Sequence, residues 1–295
     1  MLCRTTILYN FAYHLLCATR YLLLRHMLSL FSGTDAIDTR YKKAYFVTMK
    51  RIDDRCYDAL RPIKIQRDFY EDGEGSCLIS FGKTQVLCVA TIEERVPPHI
   101  KGSGGGWITA EYNMLPRSST PRIQRERKKV GGRTYEIQRL IGRALRSVTR
   151  MDGWGERSII IDCDVIKADG GTRTASVTGA FVALALAFKE IKKRGLDKGV
   201  ENFNPEFPLN TFVSAVSMGV FKDQPVLDLN YHEDSQAETD MNVVLSEKGQ
   251  IIEIQGTAEA HPMEETQFNE LLKLGKLGCQ KLCEYQREVV GELSW

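Results

Sequence analysis

The 295-residue chain lacks the residue patterns on which several common enzyme classes depend. Its eight cysteines include no Cys-x-x-Cys pair and its five histidines are scattered, so neither a zinc site nor a Ser-His-Asp triad is indicated. The cysteine usage is typical of a reducing compartment rather than of a disulfide scaffold. No internal repeat is visible. Two Gly-Gly segments precede predicted helices, but neither continues into Gly-Lys-Ser/Thr, which argues against a P-loop nucleotide site.

Net charge is also small, because 40 Lys and Arg face 38 Asp and Glu. The basic residues are unevenly distributed, however: residues 117–150 hold eleven Lys or Arg and only two acidic residues. A basic segment in an otherwise acidic body is typical of a binding site for a polyanion. The 43% hydrophobic content is enough for a sizeable core in one or two domains.

Residues 1–48 differ in kind from the rest. They contain no acidic residue before Asp35 and carry an apolar run over 7–24, which three polar residues interrupt. The interruptions argue against a membrane span. The segment has some features of an amphipathic transit peptide. We expect instead that Met49 is the functional start and that residues 1–48 are an upstream extension or a disordered tail.

The segment 168–176, Ala-Asp-Gly-Gly-Thr-Arg-Thr-Ala-Ser, lies between an alternating strand and a long apolar helix. Its two glycines allow a tight turn, and the first turn of a helix presents unpaired N–H groups. Those donors, the helix dipole and the guanidinium of Arg173 predict a site for a phosphate-like anion. The alternative is an ordinary strand-to-helix turn.

A second segment, Gly131-Gly132-Arg133, again places glycines and an arginine at the start of a helix. Along that helix Arg139, Arg143 and Arg146 recur at helical spacing and form one basic face. Such a face suits either a polyanionic substrate or a subunit interface, and the sequence leaves both open.

A third segment, 228–241, is rich in acidic residues. A strand is predicted to end near Tyr231, and Asp240 to open the next strand, so Asp234 and Asp240 are expected at the tip of a hairpin-like connection. Two neighbouring carboxylates can share a divalent cation, or one can hold a proton for general acid catalysis. A polar turn is the alternative.

The order of predicted elements indicates an α+β layered fold, since strands and two helices are followed by strands and one helix. A break is expected at residues 195–208, which contain glycine and two X-Pro pairs. Strands are predicted over 63–67, 76–81, 85–92, 107–114, 158–165, 212–221, 225–231, 241–246 and 251–256, and helices over 134–149, 175–194 and 264–290.

Taken together, these segments resemble the RNase PH family of phosphate-dependent 3′ exoribonucleases. The resemblance covers residues 49–288 and is carried, in order, by Arg61-Pro62 with the strand that follows and by 132–146, 155–176, 227–242 and 253–259. It implies an α+β fold of two βα halves, similar to the second domain of ribosomal protein S5. The implied organisation is an extension (1–48), a first half with the phosphate site and basic loop (49–194), a linker (195–208), a second half with the aspartates (209–288) and a tail (289–295).

The resemblance also implies an activity and its site. We expect a tRNA nucleotidyltransferase that trims the 3′ ends of tRNA precursors and other structured RNA by phosphorolysis, with inorganic phosphate as co-substrate. Phosphate is expected to bind to Arg133, Gly171, Thr172, Arg173 and Ser176. Asp234 and Asp240 are expected to be catalytic, by holding Mg²⁺ or by protonating the leaving 3′ oxygen, and the sequence leaves open which aspartate has which role. RNA is expected to contact a mobile basic loop through Arg117, Arg122, Arg125, Arg127, Lys128 and Lys129.

Family members assemble as rings, so a cytoplasmic homohexamer, a trimer of dimers without membrane association, is expected. A second hypothesis is a non-catalytic RNA-binding ring subunit of an exosome-like assembly. A third is a catalytic exosome subunit or a fragment of polynucleotide phosphorylase, which would need a duplicated core. The Gly-Thr-Arg motif ending at Arg173 and the two aspartates are intact, which favours the stand-alone enzyme.

Overall fold

The computed structural model describes residues 51–126, 129–195, 200 and 203–295. The predictions for residues 1–48, for Arg127 and Lys128 and for part of the linker therefore lie outside the described residues. The chain divides into two units, Met1–Tyr57 and Asp58–Trp295. In the first, residues 51–57 form turns in which Arg55 Nε donates to Asp53 at 2.7 Å. The site described below lies in the second.

The first half of this second unit builds a five-stranded sheet with the order β1-β2-β3-β5-β4. Neighbouring strands are antiparallel except β4 and β5, which run parallel. That parallel pair requires a crossover connection, which helix α1 supplies. The elements are β1 (Ile63–Arg67), β2 (Gly75–Phe81), β3 (Thr84–Glu93), β4 (Trp107–Met114), α1 (Gly132–Ser147) and β5 (Ser158–Lys167).

Helix α2 (Thr172–Lys193) follows β5 and is the centre of the core. It packs against β2 and β3 of the first sheet and β6 of the second. Apolar residues lie on every face of this helix over most of its length, which is typical of a helix buried in a core. It is long and apolar enough to cross a membrane, but 89% of its apolar window is buried inside the protein. Cys77, Cys88 and Cys163 lie directly opposite one another on neighbouring strands and line the sheet beneath the helix as small buried side chains.

The second half builds a four-stranded antiparallel sheet with the order β7-β6-β8-β9. A long C-terminal helix, α4, packs across β6, β7 and β8. A short helix, α3, precedes β8. The elements are β6 (Val213–Phe221), β7 (Gln224–Leu227), α3 (Tyr231–Asp234), β8 (Thr239–Ser246), β9 (Ile251–Ala258) and α4 (Glu265–Val290).

The α+β class is confirmed, and most predicted elements lie within two or three residues of the observed ones. The exception is the strand predicted over 225–231, which ends at Leu227. Asp228 adopts a left-handed conformation (φ 54°), and Asn230 caps a helical turn through a reciprocal pair of hydrogen bonds with Glu233. The sequence had suggested that Asp234 lies at the tip of a hairpin. It is instead the last residue of a short helix.

Candidate active site

The start of helix α2 is a rigid glycine turn. Gly170 and Gly171 both have positive φ, 77° and 64°. A Cβ on Gly170 would lie 2.6 Å from the carbonyl oxygen of Leu229, and one on Gly171 would lie 2.9 Å from Arg61 Nη2. Both positions therefore require glycine, for conformation and for space. Among the described residues, no side chain caps the helix at Gly171, so the unpaired N–H groups of its first turn remain for a ligand.

A buried ion pair lies beneath this turn. Arg61 Nε and Nη2 donate to the two carboxylate oxygens of Asp228 at 3.0 and 2.7 Å, and the side chains are 3% and 0% exposed. Arg61 Nη1 also donates to the carbonyl of Asp169. The guanidinium thus fixes the glycine turn to the segment that leads into α3. Local sequence patterns do not reveal this pair, because its members lie 167 residues apart.

Thr172 and Ser176 both belong to α2, but their hydroxyls have different surroundings. The buried Tyr112 hydroxyl donates to Thr172 Oγ1 at 2.9 Å, and burial raises the pKa of Tyr112, which keeps this donor protonated. Ser176 is fully buried and its hydroxyl donates to the carbonyl of Thr172 at 2.9 Å. In this arrangement the Ser176 hydroxyl is used within the helix, and its expected contact with phosphate stays a prediction.

Arg173 extends from the first turn of α2 and is held on one side. Its Nη1 donates to Gln255 Oε1 at 2.8 Å and to Glu136 Oε1 at 3.3 Å. Its side chain is 18% exposed, so it is largely buried and still reaches solvent. The predicted anion contact is therefore available in a defined orientation.

Arg133 lies in the first turn of α1 and is exposed. Within the described part of the chain it has no hydrogen-bond or ion-pair partner. The adjacent helix start is occupied by Glu126, whose carboxylate accepts from the Gly131 N–H at 2.9 Å and from the Thr134 hydroxyl at 3.2 Å. A negatively charged group thus already binds at this helix N-terminus, as the helix dipole favours.

Arg133 and Arg173 both act electrostatically on Asp234 and on Asp240. Burial raises the pKa of Asp240 to about 6, the nearby Asp234 adds to the rise, and Arg173 and Arg133 oppose it. Burial likewise raises the pKa of Asp234, against the opposing effect of Arg133 and then Arg173. The structure therefore brings the four charged residues named from the sequence into one electrostatic site.

The two aspartates fit a magnesium ion that arrives with substrate. Among the described residues, no cluster of three or more His, Cys, Asp or Glu side chains could hold a metal alone. Mg²⁺, however, commonly takes only one or two carboxylates and completes its shell with phosphate oxygens and water. Asp234 and Asp240 offer that many ligands beside the anion site.

The predicted RNA contacts occupy the segment before α1. Arg117, Arg122, Arg125 and Lys129 are exposed, whereas Arg127 and Lys128 lie outside the described residues. The segment 117–126 forms turns and extended chain without a helix or strand. Exposed cations on such a segment can follow a phosphate backbone.

Two of the three arginines on the basic face of α1, Arg143 and Arg146, contact other parts of the same chain. Arg143 forms a bidentate ion pair with Glu253 at 2.6–3.0 Å. Arg146 donates to the carbonyl of Ile108 at 2.8 Å and lies over the Trp107 ring. These two arginines are thus used within the chain, although Arg143 is still partly exposed. Arg139 is exposed and has no hydrogen-bond or ion-pair partner among the described residues.

Comparison with known proteins agrees with this geometry. The 3′ exoribonuclease family, domain 1, matches residues 59–190, and domain 2 of the same family matches residues 211–278. The chain is similar to Ribonuclease PH of Methylorubrum populi, with 54% identity over 238 residues, 80% of this chain and 98% of that protein.

Two solved structures share the fold. One is the Archaeoglobus fulgidus exosome with RNA bound to the active site, with a TM-score of 0.65, 21% identity, and 84% of this chain and 98% of that chain covered. The other is an archaeal exosome core, with a TM-score of 0.63, 19% identity, and 86% and 95% covered. Both halves of the fold, the site at their junction and the sequence matches lead to one conclusion: the chain belongs to the RNase PH family of 3′ exoribonucleases.

Proposed function

We propose that the site formed by Arg133, Arg173, Asp234 and Asp240 binds inorganic phosphate beside the 3′ end of an RNA. The chain would then be a phosphorolytic 3′→5′ exoribonuclease that trims tRNA precursors and other structured RNA. The observation that carries this function is the convergence of two arginine-bearing helix starts on a pair of aspartates whose pKa values are raised. Membership of the RNase PH family makes the chain a phosphate-dependent exoribonuclease, a tRNA nucleotidyltransferase.

Phosphate activation is a matter of position and charge, since phosphoryl transfer needs little covalent help from the protein. Arg133, Arg173 and the N–H groups of Gly171 and Thr172 hold the phosphate anion in line with the last phosphodiester. A phosphate oxygen forms a bond to phosphorus, and the bond from phosphorus to the 3′ oxygen of the preceding nucleotide breaks. The terminal nucleotide leaves as a nucleoside diphosphate.

The departing 3′ oxygen needs a proton. We assign this proton to Asp240, because a pKa of about 6 keeps a carboxyl group protonated closer to neutral pH than usual. Burial raises the pKa of Asp234 as well, but three arginines, Arg133, Arg173 and Arg61, oppose that rise. Asp234 would hold Mg²⁺ together with substrate oxygens, and the ion would neutralise charge on the transferred group.

The remaining RNA would follow the basic segment. Arg117, Arg122, Arg125 and Lys129 would contact successive phosphates and give affinity with little base specificity. Arg127 and Lys128 belong to the same proposal by their position in the sequence. A homohexamer built as a trimer of dimers and a cytoplasmic location complete the proposal, and both rest on the family resemblance.

The test is the shortening of a tRNA with a 3′ extension, with and without inorganic phosphate, with identification of the released nucleotide. We expect nucleoside diphosphates only when phosphate is present. Arg173→Ala and Arg133→Ala should each lower kcat/KM by about 10- to 100-fold, because each removes a charge-assisted hydrogen bond. Monophosphates released without phosphate would mean hydrolysis. Tight RNA binding without release of nucleotides would identify a non-catalytic ring subunit.

A further inference from the structure

Gln255, on strand β9, contacts Arg173 from outside the anion site. Its Oε1 accepts from Arg173 Nη1 at 2.8 Å, and its Nε2 donates to Glu253 Oε1 at 3.0 Å. Both ends of the amide are therefore used, which fixes which end faces the arginine. Gln255 lies in the segment 253–259, one of those that carry the family resemblance, but the sequence alone assigned it no role.

Glu253 is itself held. Arg143 on helix α1 donates three hydrogen bonds to its carboxylate, at 2.6, 2.8 and 3.0 Å. A bidentate pair of this kind fixes the direction as well as the distance of the two groups. A continuous chain of contacts thus runs from Arg143 through Glu253 and Gln255 to Arg173, joining α1, β9 and the first turn of α2.

The contacts leave one side of the Arg173 guanidinium open. Gln255 and Glu136 both accept from Nη1, and among the described residues no partner contacts Nε or Nη2. Nε and Nη2 form the edge with which an arginine binds two oxygens of one anion, as Arg61 does with Asp228. The hydrogen bond from Gln255 therefore orients the open edge without occupying it.

We infer that Gln255 is a positioning residue, which holds Arg173 so that its Nε–Nη2 edge binds the phosphate co-substrate. The inference rests on the proposed function and specifies how the anion site is built. The amide of Gln255 is neutral, so it accepts from Arg173 without offsetting the charge of the guanidinium. A carboxylate at this position would also accept from Arg173, but it would offset the positive charge that attracts phosphate.

Gln255→Met tests this role, because methionine has a similar length but neither donates nor accepts strongly. We expect the KM for phosphate to rise about tenfold, with kcat changed less than about twofold and the KM for RNA unchanged. Gln255→Glu should raise the phosphate KM at least as much, although it keeps an acceptor. Gln280→Met, the same change on the exposed face of α4, is the control and should match the wild type.

Binding without turnover separates this inference from the proposed activity. Inorganic phosphate alone should raise the Tm of the wild-type protein, and Gln255→Met should need about ten times more phosphate for the same rise. A wild-type protein that binds phosphate but releases no diphosphate would overturn the activity and leave the inference standing. An unchanged phosphate dependence in Gln255→Met would overturn the inference. So would a parallel fall of kcat, RNA binding and Tm, which would indicate a purely structural role.

Discussion

The two Gly-Gly segments that open α1 and α2 are alike in sequence and different in structure. At α2 the glycines have positive φ, have no room for a side chain, and rest on a buried ion pair. At α1 Gly131 has an extended conformation (φ −69°), and a Cβ on Gly132 would meet nothing within 4 Å. A Cβ on Gly131 would lie 2.7 Å from Glu126 Oε1, but that atom is the end of an exposed side chain, which can move. Backbone conformation and backbone contacts therefore require glycine at Gly170 in the α2 turn and do not require it at the start of α1.

The arginines that follow differ in the same way. Arg173 is largely buried and held by Gln255 and Glu136, whereas Arg133 is exposed and has no partner within the described residues. Arg173 lowers the pKa of Asp240 more than Arg133 does. For Asp234 the order is reversed, and Arg133 lowers the pKa more than Arg173 does. The start of α2 thus supplies the half of the proposed anion site that is already held in place. The start of α1 supplies the half that is free to adjust to substrate.

If the ion pair beneath α2 makes that turn rigid, removal of its negative charge should have the largest effect on the protein. Asp228→Asn keeps the left-handed conformation, which asparagine tolerates, but leaves the buried Arg61 charge uncompensated. We expect a loss of about 3–5 kcal/mol in the free energy of unfolding, measured by urea denaturation. Glu93→Gln, which breaks the exposed pair with Arg95, is the control and should leave the urea midpoint unchanged. Equal effects of the two changes would show that burial does not matter here.

The glycines themselves provide a matched comparison. Gly170→Ala should cost about 2–4 kcal/mol, because the new Cβ meets backbone atoms at 2.6–2.8 Å in a left-handed residue. Gly132→Ala should be neutral or should stabilise the protein by up to about 1 kcal/mol, since the position is helical and open. Thermal unfolding of both variants measures the difference. Similar Tm shifts would mean that the two turns are equally constrained.

Asp240, for which the effect of Arg173 on the pKa exceeds that of Arg133, should link activity to stability. Its pKa rises from 3.8 to about 6 on folding, so the folded protein binds this proton more tightly than the unfolded chain. That contribution to stability is present below 3.8 and is lost as the pH rises through about 6. Asp240→Asn should therefore abolish most turnover and yet stabilise the protein by about 1–2 kcal/mol at neutral pH, with no gain in acid.

Urea titrations at acidic and neutral pH measure this change. A gain that does not depend on pH would contradict the assignment of the raised pKa to Asp240. The RNA affinity of Asp240→Asn should stay close to that of the wild type, which separates loss of the proton donor from loss of binding.

The smallest effect is expected at the start of α1. Glu126→Gln removes the negative charge that lies at this helix N-terminus and keeps an acceptor for the Gly131 N–H. We expect a loss of about 0.5 kcal/mol at low ionic strength, because the site is exposed. Added salt should remove the difference by screening. A loss as large as that of Asp228→Asn would mean that the α1 turn is as constrained as the α2 turn.

Much of this architecture could be predicted from local patterns. The strands Ile63–Arg67 and Trp107–Met114 were predicted to the residue, because alternation and flanking turn residues mark them clearly. The strand predicted over 225–231 exists but ends early, at Leu227, since the left-handed Asp228 and the Asn230 cap interrupt an otherwise apolar run. Ser176 was expected to contact phosphate, but a helix interior directs its hydroxyl back to the carbonyl of Thr172.

The sequence by itself determined the fold class, the family, the two glycine–arginine turns and the paired aspartates, because each depends on residue type and spacing within a short segment. Only the tertiary structure decided that Arg61 is paired with Asp228, that Tyr112 supports Thr172, and that Gln255 orients Arg173. These contacts join residues 60 to 167 positions apart. Local periodicity carries no information about such pairs, because sheet order and helix packing alone bring them within hydrogen-bonding distance.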